Sequence, residues 1–336
     1  MSKSITDVAK DLNLAPSTIS KVVNNNGRVG AETRKRVLEY VKEVGYVANS
    51  SARILKSKKS STIGVVYSDI SQVGFEHPFF SRIFQSFKTY VEHQGYEIVM
   101  IIHKLGTSEQ SYLQWSMNKK IDGILIVVGN INNPNIIEVV NSDLPCVSTD
   151  MVMPNLHSVI SDDYQGVSLA VNYAISKKMK HIAVISGPIT ARSFIDRVNA
   201  FRKEMILNQL EVDEDNIIIT NGFSDEDGFK SALKLIEMKK VPELVLVFSD
   251  VIAFGVIRCL EKAGYNVPRD VEVIGFDDIQ FSKHFIPALS TIRQETYEIG
   301  IAAANALLNQ IENGKDKKQT LTYVPVTLVH RDTTKK

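Results

Sequence analysis

Apolar residues near the start of the chain recur at three- and four-residue spacing, interrupted at Asn13 and Leu14, where a tight turn fits. Val8, Ala9 and Leu12 then face inward from one helix, and Ile19, Val22 and Val23 from a second spanning Pro16 to Asn24 (PSTISKVVN). Ser17, Ser20 and Lys21 are left on the outer face. A third helix is predicted from about Ala31 to Val44, with Val37, Leu38, Val41 and Val44 as its apolar face and Arg34, Lys35, Arg36 and Lys42 as its solvated one. Three short helices of this size fit a helix-turn-helix module, whose second helix lies in the DNA major groove. A plain helical cap with one charged face fits the same spacing.

The next stretch, Asn49 to Lys59 (NSSARILKSKK), is polar and basic, and its one apolar pair, Ile54 and Leu55, is too little to fold alone. From Thr62 the pattern changes to short, nearly continuous apolar runs alternating with longer amphipathic ones. Buried parallel strands are predicted at 62–67, 96–102, 123–128 and 145–149, with helices at about 79–93, 108–119 and 134–141. A second series starts near His157 with SVIS and continues at 181–186, 216–220, 244–248 and 271–276; its helices are predicted at about 163–177, 191–208, 225–239 and 250–263. The expected fold is an all-α helix-turn-helix head plus an α/β body, resembling a periplasmic binding protein, of two doubly wound parallel-sheet subdomains.

Composition adds a charge asymmetry that the net value of +1 conceals. Residues 1–60 hold 12 Lys and Arg against 5 Asp and Glu, a balance of +7, and the remainder holds 27 against 33, or −6. A basic module on a mildly acidic body suits phosphate binding by the module alone. Cys146 and Cys259 each lie in an apolar run, so a reduced compartment is expected in place of a disulfide framework. No apolar stretch approaches the roughly 20 residues of a membrane span, and the first ten residues lack a signal core, so a soluble cytoplasmic protein is expected. No GxGxxG, P-loop, GxSxG or HExxH pattern occurs and the seven histidines are scattered, so no catalytic residue, metal or cofactor is expected.

Ligands of open α/β sheets bind outside the carboxyl ends of the strands. Those ends supply Asp69, Asp150, Asp162, Asp163, Ser186, Ser249, Asp250, Asp277 and Asp278, a set suited to a polyhydroxylated ligand. Aspartates there also cap the following helices, and Asp163 and Asp250 fit that role equally well. His77, Pro78, Phe79 and Phe80 are expected at the mouth of the site. A helix start is the alternative for them.

The residues DVA, STIS, VVN, Thr33 and Arg34, Gly45 and Tyr46, and NSSARIL closely resemble the lactose/galactose-repressor (LacI/GalR) family of bacterial transcription regulators, and the likeness continues to the C-terminus. The resemblance implies a helix-turn-helix domain over 1–48, a hinge helix and linker over 49–60, and an effector-binding and dimerisation domain over 61–336. It divides the last into an N-subdomain of about 61–160 and 292–320 and a C-subdomain of about 161–291 and 321–332. It further implies a homodimer on a pseudo-palindromic double-stranded operator, controlled by a small ligand, foremost a sugar, with no membrane partner.

Residue by residue, the DNA contacts implied are Thr6, Pro16, Ser17, Thr18, Ser20, Lys21, Asn24 and Arg34 in the head and Asn49, Ala52, Arg53, Leu55 and Lys56 in the hinge. Pro16, Ser17 and Lys21 would face base edges and Thr18 and Ser20 phosphates, while Leu55 would be a wedge in the minor groove. Lys21 stands where many relatives carry Arg, and Ala15 where Ser is common. The effector contacts implied are Asp69, Phe79, Phe80, Asp150, Ser193, Arg197, Phe223, Asp250, Asp277 and Gln294. Arg197, facing inward, would need a carboxylate partner such as Asp277 in the absence of a ligand. Phe223 fits either a sugar-stacking or a core role. Two other functions compete: a catabolite-control regulator with a protein co-regulator, against which Ile286 and Pro287 stand where such relatives carry basic residues, and a sugar-binding transport protein.

Overall fold

The computed structural model describes residues 3–23, 27–46, 59–67, 77–237 and 241–335. It forms two compact units, one ending at Ser60 and the other beginning at Ser61. Helix α1 (Ile5–Asp11) starts at a reciprocal capping box: the Ser4 amide donates to the Asp7 carboxylate at 2.9 Å and the Asp7 amide to Ser4 Oγ at 3.3 Å. Asn13 then adopts a left-handed backbone (φ 54°), which asparagine tolerates better than most residues, and the chain re-enters a helix at Pro16. Helices α2 (Pro16–Val23) and α3 (Ala31–Glu43) complete the unit around Val8, Ala9, Leu12, Ile19, Val22, Val37 and Tyr46. The expected face of α3 differs at one position: Leu38 is 47% exposed, because a core this small covers a single stripe and the neighbour of buried Val37 turns about 100° away from it. Arg36 donates to the Leu12 carbonyl, and Lys3, Asp11 and Tyr40 hydrogen-bond one another at 2.6–2.7 Å.

In the second unit, β1 (Thr62–Tyr67), α4 (Pro78–His93), β2 (Glu97–Met100), a hairpin of β3 (Lys104–Leu105) and β4 (Ser108–Glu109), α5 (Tyr112–Asn118), β5 (Gly123–Val128), α6 (Pro134–Asn141), β6 (Cys146–Ser148) and β7 (His157–Ser161) belong to a first lobe. A second lobe follows with α7 (Asp163–Ser176), β8 (Ile182–Ser186), α8 (Arg192–Leu207), β9 (Ile217–Ile219), α9 (Asp225–Glu237), β10 (Leu244–Val247), α10 (Asp250–Lys262), β11 (Glu272–Asp277) and β12 (Ser290–Gln294). The chain then returns to the first lobe for α11 (Thr296–Asn313) and β13 (Thr320–Val324), and ends in the second with β14 (Val326–Val329).

The first sheet, in the order β13-β7-β6-β5-β1-β2, is wholly parallel; the second, β14-β12-β11-β10-β8-β9, is parallel apart from antiparallel β14. Each has an apolar core on both faces, as crossover helices require. Helices α9 and α10 touch backbone to backbone at two glycines: a Cβ on Gly255 would fall 1.7 Å from the Asp225 carbonyl oxygen, and one on Gly228 2.1 Å from that of Ile252.

Three expectations need correction. By apolar pattern SVIS heads the second series, yet β7 pairs with β6 and β13 of the first sheet, in keeping with the subdomain division near residue 160 that the resemblance implies; apolar pattern does not encode the choice of neighbour. The later exchanges between lobes fall between β12 and α11 and between β13 and β14, a few residues beyond those the resemblance implied. The helix expected from about 108 begins at Tyr112, where Ser111 and Gln114 form a capping box and the polar residues before it turn through Gly106 into the hairpin.

Among the described residues no helix is long and apolar enough to cross a membrane, and no group of His, Cys, Asp and Glu is placed to hold a metal ion. Cys146 and Cys259 are buried free thiols.

Candidate functional sites

On α2, burial of Ile19 and Val22 turns Pro16, Ser17 and Lys21 outward, with Thr18 and Ser20 half-buried at the flanks. Thr6 is exposed on α1, and Arg34 is half-buried on α3. The aliphatic stem of Lys21 lies alongside Gly27 (φ 76°): its Cγ, Cδ and Cε atoms come within 3.5–3.7 Å of where a Cβ on that glycine would stand. A Cβ there would make ordinary van der Waals contact with the stem, so it is the positive φ that favours glycine at 27. Asn24, Asn49, Ala52, Arg53, Leu55, Lys56 and Asp69 lie outside the described residues.

Between the lobes of the second unit is a cavity of about 580 Å³, at the carboxyl ends of strands from both sheets. Eight expected residues line it: Phe79, Phe80, Asp150, Ser193, Arg197, Phe223, Asp277 and Gln294. The first lobe contributes an aromatic cluster in which Phe79 and Phe80 ring centroids are 5.1 Å apart, His77 is 5.4 Å from Phe80, and Tyr67 packs behind at 6.3 Å. Across the cavity Phe223 packs on Phe194 at 5.8 Å. Rings from both lobes can thus cover the apolar faces of one ligand.

Arg197 is 4% exposed and held on three sides. Its Nε donates to Asp163 at 2.8 Å, its Nη1 to the Phe248 carbonyl at 2.7 Å, and its guanidinium stacks 3.6 Å from the Phe276 ring centroid. The carboxylate partner is therefore Asp163 and not Asp277. Asp162, the preceding residue, caps α7 by accepting from the Gln165 amide at 2.9 Å, which leaves Asp163 free to turn into the cavity. Asp163 also accepts from Arg192 Nη1 at 3.2 Å; Arg192 donates in addition to Asp196 and, through Nε, to the Asp150 carbonyl at 3.0 Å.

Asp277 sits at the end of β11 with φ 125°, accepts from Gln294 Nε2 at 2.6 Å, and lies 3.3 Å from Ser249 Oγ. Burial raises its carboxyl above the ordinary range, against the opposing pull of Arg197 and His77. Burial also raises Asp150, to about 6, and lowers His77. Four lining carboxylates (Asp150, Asp163, Asp196, Asp277) against two guanidinium groups (Arg192, Arg197) leave a formal charge of −2. Among the described residues, two buried polar atoms at the cavity, His77 Nδ1 and Ser161 Oγ, have no hydrogen-bond partner. The arrangement offers a neutral, hydroxyl-rich ligand both acceptors and donors, and it repels anions.

Asp250 does not line this cavity. It is fully buried, accepting from Thr291 Oγ1 at 2.6 Å, Ser282 Oγ at 2.6 Å and the Ile279 amide at 3.0 Å, so it ties the start of α10 to β12 and the turn after β11. Arg192 and Ser161 are not among the residues expected from sequence, and Asp163 is expected only as a strand-end carboxylate that could equally cap a helix. Arg192 and Asp196 are four residues apart, as are Ser193 and Arg197, and periodicity alone does not say that both pairs face the ligand side at a helix start.

A family model for bacterial regulatory proteins of the lacI family matches residues 4–49, and one for periplasmic binding protein-like domains matches residues 171–334. The chain is 32% identical to the ribose operon repressor of Bacillus subtilis (strain 168), over 99% of this chain and 98% of that protein. It is 30% identical to catabolite control protein A of Priestia megaterium over 100% of both. Among solved structures it is similar to a lac repressor dimer bound to operator and the anti-inducer ONPF, with TM-score 0.84 and 25% identity over 99% of each chain.

Proposed function

This chain belongs to the lacI family of bacterial regulatory proteins, DNA-binding transcriptional repressors with a ligand-binding body, and from that premise we propose that it works in the cytoplasm as a homodimer on a pseudo-palindromic operator, switched by a neutral polyhydroxylated effector, foremost a sugar. The observation that carries this reading is the cavity between the lobes, where Asp150, Arg197, Asp277 and Gln294 stand among aromatic rings from both sides. A ligand there touches both lobes, so it favours one lobe arrangement over another, and a change in how two protomers sit alters whether their heads reach two half-sites. The likeness to catabolite control protein A favours a second reading, catabolite-type control of the same repressor.

The test is fluorescence anisotropy of a labelled fragment from beside the protein's own gene, titrated at two salt concentrations with neutral sugars and purines added in turn. Tight binding that weakens steeply with salt and shifts with one neutral compound is the expected result. A protein that binds the fragment yet responds to no small molecule would favour the second reading.

Lys21→Ala is expected to cost about 1–3 kcal/mol of discrimination at one base pair, with little change on unrelated DNA. Equal discrimination by both proteins across a single-base operator series would remove Lys21 from the base-reading set.

Effector binding should depend on pH through Asp150. Its carboxyl is raised to about 6 in the folded protein, so it is ionised at neutral pH and accepts ligand hydroxyls there; below pH 6 it becomes neutral. Affinity is expected to fall about tenfold between pH 7.5 and pH 5, and Asp150→Asn to flatten that step, as calorimetry at the two pH values would read. The stability of the unliganded body moves the other way. A carboxyl raised above its unfolded value of 3.8 contributes stability that is full below that value and lost as pH rises through about 6.

A further inference from the structure

The carboxylates of Asp277, which ends β11, and of Asp278, which follows it, serve different sites. Asp277 (φ 125°) lines the effector cavity, whereas Asp278 (φ 52°) lines a separate cleft of about 360 Å³. That cleft is cationic. Arg82 reaches it from α4 of the first lobe, and Gln280, Lys283, Arg293 and Arg331 from the second. Four cations against the single carboxylate of Asp278 leave a formal charge of +3, the reverse of the −2 in the effector cavity.

Asp278 accepts from Arg293 Nε at 2.7 Å and from Arg331 Nη2 at 2.6 Å, and Arg331 Nη1 donates to the Leu289 carbonyl at 2.7 Å. These bonds hold two guanidinium planes in place and leave both Nη groups of Arg293 unused by Asp278. Among the described residues neither Arg82 nor Lys283 has an ion-pair partner. Packing alone does not require four cations from two lobes at one cleft, and their mutual repulsion is relieved by an anion.

We propose that this cleft is a second ligand site, taking a dianionic phosphate, either free or as the end of a small phosphate monoester, held between Arg82 of one lobe and Lys283 and Arg293 of the other. Arg331 adds its field from behind. Guanidinium groups match phosphate oxygens with paired donors, and the exposure of Arg82, Lys283 and Arg293 makes the affinity modest and sensitive to salt. Because the donors come from both lobes, the bound anion favours one lobe arrangement, and by reciprocity changes the affinity of the cavity for its own ligand. Phosphate binding here does not require the effector cavity to be occupied, and its test uses neither effector nor DNA.

The experiment titrates the full chain with inorganic phosphate by calorimetry and by ³¹P line broadening, beside the double variant R82S/K283S. Both positions are exposed and, among the described residues, neither side chain makes a hydrogen bond or ion pair, so the variant is expected to fold normally. Wild-type protein should show saturable binding that weakens between roughly 20 and 200 mM salt, and the double variant should bind at least tenfold more weakly. Competition by glycerol 3-phosphate would assign the site to monoesters, and its failure to compete, to free phosphate. Absence of saturation in the wild type, or equal affinity in the double variant, would overturn the proposal.

Discussion

Replacing Arg197 by methionine is expected to abolish the response of DNA binding to the effector and to destabilise the body by about 3–5 kcal/mol. The side chain is 4% exposed, and its removal takes away one of the two cations on Asp163, the donor to the Phe248 carbonyl and the stack on Phe276 at once. Methionine fills much of the volume but leaves a buried carboxylate leaning on Arg192 alone. Arg197→Lys keeps the charge without the planar fork, so it should reach either Asp163 or the carbonyl, and lose less stability than it loses effector affinity. Denaturant unfolding measures the first quantity and calorimetry with the effector the second. A methionine variant that unfolds like the parent and still answers the effector would show that Arg197 is a passive core residue.

Asp250→Ala should cost about as much stability for a different reason, and spare ligand binding. It strands three buried donors, the Ile279 amide and the hydroxyls of Ser282 and Thr291, at about 1–3 kcal/mol for each that finds no new partner. The hydroxyls can re-aim and the amide cannot, so a net loss of about 3–5 kcal/mol is expected. Burial, with Asp277 nearby, already pushes the Asp250 carboxyl well above the usual range, and Asp250→Asn, which keeps one acceptor oxygen, should be the milder change. Gly275 has to stay small for this arrangement: a Cβ there would lie 2.3 Å from Asp250 Oδ1. Thermal unfolding should separate the three proteins, while effector affinity per folded molecule stays within about twofold of the parent. A tenfold loss of affinity in a stably folded Asp250 variant would return it to the ligand shell.

Asp250 and Asp163 show where reading along the chain stops. Both follow a strand end and open a helix, and either could cap that helix or face a ligand. In the fold, Asp162 takes the cap and frees Asp163 for the cavity, whereas Asp250 points into the protein toward β12, more than 40 residues away in sequence. Neither outcome is local, so no spacing rule separates them. Arg197 was legible as a buried cation in search of a carboxylate; which carboxylate it met depended on the placement of α7 beside α8. The cationic cleft was not visible at all, because Arg82, Lys283, Arg293 and Arg331 are scattered over some 250 positions.

What the sequence by itself determined is what short-range physics controls. The 3.6-residue spacing and the turn at Asn13 determined the head and the outward face of α2, and near-continuous apolar runs determined most strands to within a residue or two. The motifs of the head and hinge carried the family. The tertiary structure decided which sheet each strand joins, where the chain exchanges lobes, and which strand-end aspartates meet a ligand cavity, an arginine pair or a buried knot of hydroxyls. Those choices rest on pairing and packing between residues distant along the chain, whose energies depend on proximity created only by the completed fold.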